Sequence, residues 1–191
     1  KNSIASLLSE LHRSGLSCSA EMHTFWQRVN AIFFYALSVL GFLALLCAGT
    51  TYFHTAHPNI ELGLDRASLR KILGAGHEQA TLRLSIDADL STVFNWNVKQ
   101  LFVFITAEYV TKQNKLNQVV VWDYIINGKE NARIHSSSIV NKYSLTDQGY
   151  GLRGNDVTLV LHWNTIPITG LLTTTSYRQS VHTFTLDDQY S

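Results

Sequence analysis

From Ala31 to Tyr52 the chain reads AIFFYALSVLGFLALLCAGTTY without one charged residue. A helix needs about 20 mostly apolar residues to cross hydrocarbon, and this run supplies them. Inside a bilayer each peptide N–H and C=O must be paired within its own segment, so the run is expected to be helical. A span near the N-terminus divides the chain into three parts: a tail over 1–30, the span over 31–52, and a domain over 53–191.

A removable secretory signal is the alternative reading. Such signals carry an apolar region of about 7–15 residues and end at a small-residue cut site. This run is longer and its exit (Thr50, Thr51, Tyr52, Phe53, His54) is bulky, although Ala48 and Thr50 leave a cut site conceivable. Trp26 before the run and Tyr52 and Phe53 at its end suit the two headgroup belts, where amphipathic rings are half wet and half dry. Length and flanks together favour an uncleaved span. Arg28 abuts the run, with Arg13 and Lys1 upstream, and the first cation beyond is Arg66. Positive charge on the N-terminal side points to a cytosolic N-terminus and a lumenal C-terminal domain. Trp26, Arg28, Tyr52 and Phe53 are therefore the expected membrane-interface residues. Residues 1–21, ahead of Met22, are polar and without strong periodicity, and read as disordered.

With 15 Lys+Arg against 14 Asp+Glu the net charge is +1, and no basic cluster suggests nucleic acid. From about Pro58 to Ser191 there is length for one domain, burying roughly two-thirds of its surface. Both cysteines, Cys18 and Cys47, lie outside that domain. It makes no internal disulfide, which fits a protected lumenal setting better than an exposed extracellular module.

The domain reads as strands. Leu82, Leu84, Ile86, Ala88 and Leu90 alternate with Arg83, Ser85, Asp87 and Asp89, the period of a half-buried strand. Val98 to Val110 and Gln118 to Ile126 are apolar on both faces at their centres, as in strands covered twice. Asn127-Gly128 follows at once and favours a tight hairpin. Asp156 to Asn164 and Val181 to Leu186 complete the set. Polar or glycine-bearing turns separate them at Thr111 to Asn117, Thr146 to Asn155 and Pro167 to Thr175. Such spacing predicts an antiparallel β-sandwich, so the expected fold class is mainly β behind one transmembrane helix. Only Leu64 to Leu73 hints at a helix, with Leu69, Ile72 and Leu73 at helical spacing and Gly74 as a stop.

Each candidate for catalytic chemistry has a plainer reading. Gly149, Gly151 and Gly154 match G-x-G-x-x-G, but turn residues precede them and a strand follows, so a glycine-rich turn is the expected reading. His54 and His57 lack a second pair to complete a tetrahedral metal set. His135 stands beside Ser136, Ser137 and Ser138, yet neighbours on a strand point to opposite faces. No G-x-S-x-G elbow is present. No cofactor or metal is called for.

At Phe94 to Phe102 (FNWNVKQLF), Ala107-Glu108-Tyr109 and Leu116 to Asp123 (LNQVVVWD), the chain closely resembles the subunit 3 family of the endoplasmic-reticulum signal peptidase complex. Asn141-Lys142-Tyr143, Gly149-x-Gly151-Leu152, Trp163-Asn164, and Pro167 with Gly170 extend the match from about Met22 to the C-terminus. The resemblance implies a short cytosolic tail, one span and a lumenal β-sandwich. It also implies a non-catalytic role: holding the separate catalytic subunit, whose own Ser–His pair removes signal peptides, among other small membrane subunits. The chain departs from the family at Asn155-Asp156-Val157-Thr158, where the threonine sits one place too far for a glycosylation sequon, and in residues 1–21.

A mainly apolar, aromatic-bearing face is expected to dock the catalytic subunit. Phe94, Asn95, Trp96 and Asn97 in one turn, with Leu116, Asn117 and Gln118 in another, are the candidate docking residues. Turn packing and Asn-to-backbone bonding are the competing roles for them. Two other functional readings stand beside this one. A membrane-tethered hydrolase would use Ser138 or another hydroxyl with His135 or His162. A cell-surface adhesion module would use the sandwich alone, but the Cys…Trp…Cys framework is missing.

Overall fold

The computed structural model describes residues 24–72 and 76–190. Two compact units divide the chain, one ending at Leu43 and the other running from Ala44 to Ser191. The second holds the last two turns of the N-terminal helix and all the strands. The expectation of disorder over 1–21 and the proposed helix stop at Gly74 lie outside the described residues.

Helix α1 runs Phe25–Thr51 and has no buried residue; Cys47 and Ala48 are half-buried, and its large apolar side chains are exposed. A helix of this kind, 27 residues and about 40 Å long, is long and apolar enough to cross a membrane. Its ends are closed locally. The Gln27 side-chain oxygen accepts the Thr24 N–H at 3.3 Å, half of a capping box. Thr50 and Thr51 hydroxyls donate to the Cys47 and Ala48 carbonyls at 2.9 and 2.7 Å, taking up acceptors the helix leaves free.

The strands form two antiparallel four-stranded sheets. In the first, β1 (Asn59–Ile72) pairs with β2 (His77–Asp89), whose other edge takes β5 (Arg133–Val140) and then β6 (Leu145–Asp147). The second has the order β4 (Asn117–Ile126), β3 (Val98–Tyr109), β7 (Asp156–Pro167), β8 (Thr173–Thr185). The core lies between them. Ala80, Leu82, Leu84, Ile86 and Ala88 of β2 meet Leu101, Val103, Ile105 and Ala107 of β3 and Val157, Leu159, Leu161 and Trp163 of β7. Each fully buried Leu or Ile contributes about 1.5–3 kcal/mol.

Three local expectations are corrected. Leu64 to Leu73 is not helical: it lies in β1 up to Ile72. Pairing slips between Leu64 and Arg66, a bulge that leaves Asp65 unmatched. The extra residue switches the inward set from Ile60, Leu62 and Leu64 to Ala67 and Leu69, which erases the period of two and imitates helical spacing. Asn127-Gly128 does not make a hairpin, because β4 pairs with β3 whereas β5 pairs with β2. Gly128 is extended at φ −176°, and a short 3-10 turn at Lys129–Asn131 carries the chain from one sheet to the other. Finally, β8 begins at Thr173 rather than Val181, so the turn shrinks to 168–172; β-branched Thr173 to Thr175 suit an edge strand.

Candidate interaction surface

The turn between β2 and β3 is built by its two asparagines. Asn95 Oδ1 accepts the Asn97 N–H at 2.9 Å, an Asx turn. Asn97 is itself buried. Its amide donates to the Thr169 carbonyl at 2.8 Å, its Oδ1 accepts the Thr169 N–H at 3.0 Å, and its own carbonyl accepts the Ile168 N–H at 2.7 Å. One side chain thus clamps the β7–β8 loop. The Thr169 hydroxyl lies 3.1 Å from both Asn97 Oδ1 and Cys47 Sγ, so its single proton serves one at a time. Cys47 belongs to the last two turns of α1, and His54 Nε2 donates to the Thr92 carbonyl at 2.9 Å just beyond. Phe94 is buried in the core and Trp96 is exposed.

Leu116, Asn117 and Gln118 open β4. Leu116 is exposed. Asn117 donates to the Tyr109 carbonyl at 3.2 Å and accepts from the Asn114 amide at 3.0 Å. Gln118 donates to Glu108 Oε1 at 2.7 Å. The two candidate turns sit at opposite ends of β3, whose 12 residues span roughly 35 Å. They are not one patch. Of the expected membrane-interface residues, Trp26 and Arg28 lie in the first turn of α1, and Tyr52 and Phe53 follow its last residue, with Trp26, Tyr52 and Phe53 all exposed.

Between the turns runs the outer face of the second sheet. Phe102 and Phe104 stack at 5.6 Å, and Phe104 lies on the His162 ring at 5.0 Å and 9°. Val120 and Ile125 are exposed beside them, and Val160 is buried although it stands outside the core. A polar network is set into this face. His162 Nε2 is 2.8 Å from the Thr106 hydroxyl and Nδ1 is 2.9 Å from the Ser176 hydroxyl. Arg178 reaches from β8 across β7 to grip Glu108 through both terminal guanidinium nitrogens at 3.2 and 3.0 Å. The irregular pairing between Leu159 and Leu161 lets β8 bulge there. Burial pushes the His162 pKa down, with Glu108 pulling it up and Arg178 pushing it lower. The ring is therefore neutral near pH 7. One acceptor on this face, Asn164 Oδ1, is buried without a donor.

The structure keeps His135 away from the serines that follow it and brings His162 against two hydroxyls, those of Thr106 and Ser176. His135 is exposed and paired with Asp87 at 3.1 Å, not with the serines that follow it. His162 contacts two hydroxyls, but the one nearby carboxylate, Glu108, is held by Arg178 and Gln118. Among the described residues no three His, Cys, Asp or Glu side chains converge as a metal set. The glycine turn meets the chain's own carboxylates: Asp147 Oδ2 accepts the N–H of Gly149 and Gly151 at 2.9 and 2.8 Å. Glu78, fully buried, accepts the Leu152 N–H at 2.9 Å. An anion already fills the place a phosphate would take.

Among the described residues, a helix long and apolar enough to cross a membrane is joined to a sandwich with structured turns. Residues 22–189 match the family described as signal peptidase subunit. The chain belongs to the signal peptidase subunit family. It is 41% identical over 157 residues to signal peptidase complex subunit 3 of Gallus gallus, covering 79% of this chain and 87% of that one. It is 40% identical to the Homo sapiens protein of the same name over the same shares. For that of Dictyostelium discoideum the figures are 39%, 80% and 88%.

The residues that carry the family likeness are spent largely on the fold. Asn141 exchanges bonds with Leu82 of the first sheet, and Tyr143 N–H donates to Val121 of the second, so this tripeptide stitches the sheets together. Between them Lys142 pairs with Asp123 at 2.8 Å. Sequence reasoning did not single out Glu78, Asp147 or Arg178. The glycines beside the first two and the acidic residue within an apolar strand facing the third were the available signals.

Proposed function

We propose that this chain is a non-catalytic accessory subunit of a signal peptidase complex in the endoplasmic-reticulum membrane. It binds and positions the catalytic subunit, which removes signal peptides from proteins entering the lumen. Family membership over residues 22–189 carries the reading. On this proposal the tail (1–30) is cytosolic, α1 provides the span (31–52), and the strand domain (53–191) is lumenal.

The docking surface proposed is the outer face of the second sheet. It joins the two candidate turns, and it combines apolar and aromatic side chains with satisfied polar groups, as the centre of a protein interface does. Tethering a folded domain to the same bilayer as its partner raises their effective concentration. The test is co-purification from detergent-solubilised membranes. Phe102→Asp with Phe104→Asp should release the catalytic subunit while the domain stays folded by circular dichroism. Retention of the partner at parental yield would reject the face, whereas recovery of this chain alone as an active peptidase would reject the function. Protease added to sealed microsomes should spare the strand domain.

A further inference from the structure

The loop between β7 and β8 points to a second contact with the membrane, apart from the span. Its apolar side chains are the barest of the sandwich: Leu171 is 88%, Leu172 69% and Ile168 65% exposed, with Trp96 at 61% on the turn clamped beside them. Soluble surfaces seldom leave such residues together without something to cover them. What covers them is indicated by the loop's attachment. Asn97 and Thr169 hold it against Cys47, and a Cβ at Gly170 would lie only 3.4 Å from that of Ala48.

Ala48 is four residues inside the expected end of the span at Tyr52, about 6 Å along a helix rising 1.5 Å per residue. The polar layer on each side of a bilayer is roughly 5–7 Å deep. A loop in van der Waals reach of Ala48 therefore sits at the boundary between headgroups and hydrocarbon. Gly170, at φ +113°, takes the left-handed backbone conformation that favours glycine and so holds the loop in this turn. The loop and the turn clamped to it carry no carboxylate: neither 92–107 nor 157–186 contains an Asp or Glu, and Asp89 and Glu130 stand at this end on the neighbouring segments. We propose that the Ile168–Leu172 loop, with Trp96, is immersed in the lumenal leaflet and presses this end of the sandwich onto the lipid. The proposal rests on the anchored topology above.

The experiment places p-benzoylphenylalanine at Leu171, and separately at Leu116 on the far end of β3, in the full chain within its complex. The complex is held in phosphatidylcholine nanodiscs, irradiated, and its adducts are identified by mass spectrometry. Phospholipid adducts several-fold more abundant from position 171 than from 116 are expected. Equal yields, or adducts from 171 to another subunit instead of lipid, overturn the proposal. Carbonate extraction of membranes keeps the two readings apart. A chain that resists extraction yet gives no lipid adduct at 171 loses only this inference, whereas a chain that is extracted loses the anchor and the inference with it.

Discussion

Glu78 offers the sharpest test of how the sandwich is held at the end away from α1. Its carboxylate is fully buried and accepts three bonds: from Leu152 N–H at 2.9 Å, from Arg153 N–H at 3.4 Å and from the Tyr190 hydroxyl at 2.7 Å. A hydrogen bond to a charged group is worth about 1.5–3 kcal/mol net, and a buried donor left unpaired costs about 1–3 kcal/mol. The 3.4 Å bond is weak, and Tyr190, partly exposed, can turn to water. Leu152 is fully buried, so its N–H dominates. Glu78→Ala is expected to cost about 2–4 kcal/mol, the low end applying if a water enters the space. For a domain of this size that is roughly 6–15 °C in Tm. Glu78→Gln keeps an amide oxygen for Leu152 and gives Tyr190 a donor, so its cost is about 1 kcal/mol. The assay is thermal unfolding of the detergent-solubilised full chain, followed by fluorescence of the buried Trp122 and Trp163. A Glu78→Ala protein melting within about 2 °C of the parent, or a Gln variant as damaged as the Ala variant, would refute the reasoning.

Because burial lowers the His162 pKa in the fold, the unfolded chain takes up a proton first as pH falls. The stability contributed by His162 is thus fully present above about pH 6.5 and is lost as pH falls through the depressed folded value, and melting at pH 7 and pH 5 should differ less in His162→Gln than in the parent. Gly151→Ala would push a Cβ to 2.7 Å from the Thr111 methyl and 3.0 Å from Asp147 Oδ2; a loss of about 1–3 kcal/mol in denaturant titration is expected. Asn97→Ala removes three bonds to Thr169 and should cost about 2–3 kcal/mol. Limited proteolysis of that variant should open 168–172 first.

Elements were legible in the sequence where burial imposed a simple rhythm. β2 alternates cleanly because one face meets the core, and β3 and β7 stand out because the outer face of their sheet is also partly covered. The rhythm fails at bulges. Asp65 in β1 and the slip at Val121 in β4 each shift the phase by one residue, and a single chain gives no sign of where such an insertion falls. β5 and β6 are harder still: Arg133–Val140 buries none of its residues and Leu145–Asp147 only Leu145, so neither announces a strand. Asn127-Gly128 misleads because a turn-forming pair fits a crossover between sheets as readily as a hairpin within one. The candidate turns lie in the segments that carry the family resemblance. That they stand a full strand apart depends on the direction of β3, which composition does not encode.

That separation bears on how an accessory subunit can work without reacting groups. The ties from Cys47 to Asn97 and Thr169, and from His54 to Thr92, fix which end of the strands lies beside the last turns of α1. β3 and β7 lead from that end to the other, and their outer side chains form a wall between them. If the proposed topology holds, a partner touching only the Phe94–Asn97 turn would be held at the bilayer, and one touching only Leu116–Gln118 would be held about 35 Å above it. A partner lying along Phe102, Phe104 and His162 has its height and its tilt fixed together. On the proposed function, a wall of this kind would contribute register rather than chemistry. It follows that substitutions on the wall should shift where cleavage occurs, or release the partner, without changing the intrinsic reactivity of the catalytic serine.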